Sequence, residues 1–65
     1  MSTISESALV KRINRQLRPE MMLRKTRGER LRMQVGEYHV HDFRQNLILH
    51  VHVDPEAMGR ELGVI

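Results

Sequence analysis

The chain has no cysteine and no tryptophan, and its aromatic residues are one tyrosine and one phenylalanine, Tyr38 and Phe43. Without thiols there is neither a disulfide staple nor a thiolate metal site, which fits a reducing cytoplasm. With two aromatic rings there is almost no platform on which the bases of a single strand could stack. No apolar run approaches the ~20 residues that span a bilayer. The start, Met1-Ser-Thr-Ile-Ser5, lacks the basic-then-apolar pattern of a secretion signal. There is no glycine-rich phosphate loop and no serine in a nucleophile-elbow setting. Together these absences predict a soluble cytoplasmic protein that is not an enzyme, has no cofactor and makes no membrane contact.

What is present is a short chain with divided charge. Its 65 residues are expected to form one small domain, 1–65. A chain this short buries only about 60% of the surface that its unfolded form exposes, so association with a second copy would help it. The net charge of +3 hides an asymmetry. From Lys11 to Arg32, nine basic residues face Glu20 and Glu29, a local +7; from Met33 onward, two basic residues face five acidic ones, a local −3. Such segregation bears on partners rather than on fold.

Helix signals stand at both ends. Thr3 with Glu6 three residues on reads as a capping box. Leu9, Ile13 and Leu17 then recur every four residues beside Val10, one apolar stripe, while Lys11, Arg15 and Arg18 form a basic one. Pro19 stops this helix, since it has no amide hydrogen and restricts Arg18 before it. Near the other end Asp54 suits an N-cap, Pro55 the first helical position, and Glu56 the positive end of the dipole. Val53 can staple onto Met58. Met58, Leu62 and Ile65 make a stripe that Gly63 closes.

Between the helices the pattern is mostly two-fold. Residues 21–25 read as a strand, turned by Thr26-Arg-Gly-Glu29 into a second from Arg30, where Leu31, Met33 and Val35 alternate with polar residues. Methionine and leucine also favour helix, so a helix after Pro19 is the alternative. Gly36 sits where the apolar phase changes, as a bulge or bend requires. Glu37-Tyr-His-Val-His-Asp42 and Leu47-Ile-Leu-His-Val-His-Val53 alternate strictly and are joined by Phe43-Arg-Gln-Asn46, a hairpin-length loop. Tyr38, Val40, Leu49 and Val51 would then share a face beneath the helices. His39, His41, His50 and His52 would share the uncovered one. A loop of residues 43–46 sets His39 opposite His50 and His41 opposite Ile48; a turn at Gln45-Asn46 gives a square of four imidazoles. The expected architecture is two-layer α+β: an N-terminal helix, a three-stranded antiparallel sheet and a short C-terminal helix.

Two side-chain groups are candidate sites. Arg12, Arg15, Arg24, Lys25, Arg27, Arg30 and Arg32 offer guanidinium and ammonium groups to the phosphates of a nucleic acid. No helix-turn-helix, zinc-finger or RNA-recognition signature accompanies them. His39, His41, His50 and His52 could ligate a metal through imidazole nitrogen, although a bare sheet face gives little to orient the rings. Ala8-Leu-Val-Lys-Arg-Ile-Asn-Arg15, His52-Val-Asp54 and Arg60-Glu-Leu-Gly-Val64 resemble stretches of small bacterial proteins with no assigned function. That resemblance implies no activity and no functional residue. The leading expectation is a small non-catalytic binding or interaction module that associates with a protein partner or with itself. The alternatives are nucleic-acid binding through the basic block and, third, metal binding by the histidines.

Overall fold

The computed structural model describes residues 4–65. In chain order these form α1 (Glu6–Leu17), β1 (Met21–Lys25), α2 (Glu29–Val35), β2 (Tyr38–Asp42), β3 (Leu47–His50) and α3 (Pro55–Leu62). The strands make one antiparallel sheet in the order β1-β2-β3, so β1 and β3 are its two edges. The arrangement is α+β, with one more helix than expected. Among the described residues no helix is long and apolar enough to cross a membrane.

The signals at Pro19, Asp54, Pro55 and Gly63 act locally and hold, whereas the capping box at Thr3 and Glu6 gives way to a cap one residue before Glu6. Thr3 lies outside the described residues; the cap of α1 is Ser5, whose hydroxyl accepts from the Ala8 N–H at 3.1 Å. Helix α1 stops at Leu17, and Arg18 before Pro19 is already extended, at φ −61° and ψ 152°. Asp54 caps α3 by accepting from the Glu56 N–H at 3.1 Å, Pro55 opens the helix, and Gly63 closes it in the left-handed region. Leu9 and Ile13 of α1 enclose a core with Leu23, Tyr38 and Val40. Helix α1 lies on β1, and α3 packs on α1. Buried Gly59 lets α3 approach closely: a Cβ there would stand 2.8 Å from Leu9 Cδ1. The Tyr38 hydroxyl donates to Glu6 Oε1 at 2.6 Å, and that bond, with burial, pushes its pKa up to about 12.

Residues 29–35 correct one expectation. They form helix α2, not a strand, although the sequence there alternates. Met33 is 80% exposed while Val35 is buried, which is helical and not two-fold periodicity. Gly36 is accordingly no bulge but the residue after α2, at φ 86°. A Cβ there would come within 2.8 Å of His52 Cα.

Strand β3 corrects another. It ends at His50 instead of continuing to Val53, and a register shift separates its two halves: His41 pairs with Ile48, but Val40 pairs with His50. The loop of residues 43–46 therefore gives the His41–Ile48 pair expected of it and not the His39–His50 pair. Leu47, Leu49 and Val51 are 41%, 42% and 49% exposed, not covered by helices, because α1 sits over β1 and α3 over α1.

Candidate nucleic-acid interface

The basic residues gather around the β1 edge, and Asn14 explains how. Its carboxamide oxygen accepts from the Leu23 N–H at 2.6 Å, and its amide donates to the Leu23 carbonyl at 3.1 Å. A helix side chain thus occupies the place of a strand partner, fixing α1 against the edge of the sheet. Residues three and four apart lie on one helical face, so Lys11 and Arg15 rise along α1 beside the strand, and Arg18 follows at its C-cap.

A cleft of about 850 Å³ opens between α1 and β1, and its charged lining is Lys11, Arg24, Lys25 and Arg27. On the other side of the strand, Arg24, Lys25 and Arg27 also line a cleft of about 330 Å³, with Leu31, His39 and His41. Toward the end of α1 a third, of about 310 Å³, is lined by Lys11, Arg15, Arg18 and Met22. Shared walls join the three, and no carboxylate lines any of them. Among the described residues the ion pairs are Arg44–Glu20 at 3.3 Å and Arg60–Glu56 at 2.7 Å. Neither takes a cation between Lys11 and Arg32. The strand edge is therefore flanked on both sides by positive charge with no neutralising carboxylate.

Of the seven basic residues singled out in the sequence, Arg24, Lys25 and Arg27 line the first two clefts, and Arg15 the third. Arg12 instead donates to the Val64 carbonyl at 3.3 Å, beside the C-terminal segment. Arg30 and Arg32 stand exposed on α2 and line none of the three. Lys11 and Arg18 join the surface although they were not among the seven; their place in the α1 basic stripe was the signal. Asn14 gave no signal, because its role depends on a strand nine residues away.

The histidines do not assemble. His39 is 7% exposed, with Nδ1 2.7 Å from the Thr26 hydroxyl oxygen. Burial, then the charges of Arg24 and His41, hold its pKa below the usual value. His41 is half-buried, stacks on Phe43 with ring centroids 4.7 Å apart, and has Nε2 3.4 Å from Asn46 Oδ1. The register shift sets His50 opposite Val40, which corrects its placement with His39 and His41. His52 has left the strand at φ 52°, with its N–H donating to the Val35 carbonyl at 2.6 Å. Among the described residues no group of three or more His, Cys, Asp or Glu is placed to hold a metal ion. Comparison of the chain with protein-family models, curated proteins and solved structures finds no match.

Proposed function

We propose that this protein is a small non-catalytic binding module whose ligand is a polyanion, with nucleic acid the class that fits best. One observation carries the reading: the three adjoining clefts around β1 are lined by cations and by no carboxylate. Isolated surface charges usually have little consequence, but clustered cations release condensed counterions when they meet a phosphate backbone. Arginine adds a fork that matches phosphate geometry. Tyr38 is buried against Glu6 and Phe43 lies against His41, so neither ring offers a stacking platform at the basic edge. Recognition would then rest on the backbone and be indifferent to sequence. The reading places the protein in the cytoplasm, where such a ligand is available.

The test is fluorescence anisotropy with a short labelled duplex of mixed sequence, titrated with the full chain at about 50 and 200 mM salt. Binding at the lower salt that weakens by tenfold or more at the higher supports the reading. No binding at the lower salt ends it. Self-association is a second reading, favoured by a separate observation: Leu47 and Leu49 of β3, and Val51 just beyond it, stand exposed.

A further inference from the structure

The two edges of the sheet carry charge of opposite sign. At β1 the surface is basic, with the 38% exposed Met22 set among its cations. At the β3 edge, a groove beside the exposed aliphatics is lined by His50, Val51, Val53, Asp54, Met58 and Glu61, with the Asp54 and Glu61 carboxylates its full charges at neutral pH. The neighbouring cations are already taken, Arg60 by Glu56 and Arg44 by Glu20. Glu61 has no cation within 4.0 Å among the described residues, and the Asp54 cap bond to a neutral amide leaves its charge in place. The β3 edge is thus apolar with a negative border, and the β1 edge is positive with an apolar centre.

Those signs select among the ways a second copy can sit. Two β1 edges would set cations against cations, and two β3 edges would bring together borders of one sign. Only β1 on β3 joins opposite charges. Main-chain pairing is hindered on both sides: Asn14 holds the Leu23 N–H and carbonyl, and β3 carries the register shift. A contact must therefore run through side chains. We infer that the unroofed β3 edge is the seat of the basic β1 edge of a second copy, joined head to tail. This rests on the self-association reading and specifies its geometry. Because such a contact uses two different patches, it builds a ring where its rotation closes and an open chain where it does not. It also draws on the cations that a polyanion would use, so the two compete.

Sedimentation velocity on the full chain tests this with two variants, Leu49→Lys, which spoils the β3 edge, and Lys11→Glu with Lys25→Glu, which reverses charge at the β1 edge. All three positions are exposed, and circular dichroism matching the wild type shows that each variant is folded; Val51→Lys replaces Leu49→Lys if that one is not. The wild type should sediment faster as its concentration rises, and each variant alone should stay monomeric. Their equimolar mixture should form a one-to-one dimer and nothing larger, since one partner keeps its basic edge and the other its β3 edge. A wild type that stays monomeric at every concentration defeats self-association altogether. If the wild type associates and the charge-reversed variant does so alone, or the mixture stays monomeric, self-association stands and the head-to-tail geometry is overturned.

Discussion

At position 14 one carboxamide replaces a missing strand. Both of its hydrogen bonds go to Leu23, and both partners are buried. Truncation would leave a buried donor and a buried acceptor unmet, each costing on the order of 1–3 kcal/mol. Asn14→Ala should therefore lower unfolding free energy by about 2–4 kcal/mol in urea titration, more than most point changes do. His39 gives a pH dependence. Its pKa is below the unfolded value near 6.5, so the unfolded chain takes up a proton first as pH falls. The stability linked to His39 is full above pH 6.5 and is lost progressively as pH drops below it. Urea midpoints at pH 7.5 and 5.5 should differ in the wild type and differ less in His39→Asn; an equal difference in both would remove His39 as the cause. In the sequence His39 looks like its three fellows, and only the third dimension tells them apart. Its buried hydrogen-bond partner is Thr26, thirteen residues earlier, which no local pattern connects to it.

Elements were legible where their cause is local. Pro19 ending α1, Asp54-Pro55 opening α3 and Gly63 closing it each act within a few residues, and each was read from the sequence. Helix α2 was not, because over seven residues the two-fold spacing of Leu31, Met33 and Val35 is as evident as any helical one. The composition Glu-Arg-Leu-Arg-Met-Gln-Val is rich in helix formers, and that preference prevailed. Strand β3 was legible at its start, but its length and its cover were not, for a different reason. Alternation says that one side of a strand is apolar, not that anything exists to cover it, and here α3 leans on α1 instead. Gly36 joins α2 to β2 under two constraints at once, a positive φ and a 2.8 Å approach of any Cβ to His52 Cα. The neighbouring atom is backbone and cannot swing aside. Gly36→Ala should thus destabilise the fold by about 1–3 kcal/mol. A denaturation midpoint unchanged from the wild type would show that the α2–β2 junction is not so constrained.

Over the whole molecule the charge division of the sequence becomes a division in space. The +7 segment runs from within α1 through β1 into α2, and the Asn14 clamp brings the first two of these together. The basic character of the block was legible; which of its members converge was not, since that depends on how α1 lies across β1. The division makes a quantitative forecast. Each phosphate neutralised on B-form DNA contributes about 0.9 to the slope of log affinity against log salt. The most direct measurement is that slope for the wild type, for Lys11, Arg24, Lys25 and Arg27 changed together to Gln, and for Arg12, Arg30 and Arg32 changed together to Gln. With the β1 edge as the binding surface, the first set should flatten the slope by about 3–4 and the second by less than about 1. Equal flattening by both sets, or a wild-type affinity that ignores salt, would contradict the account.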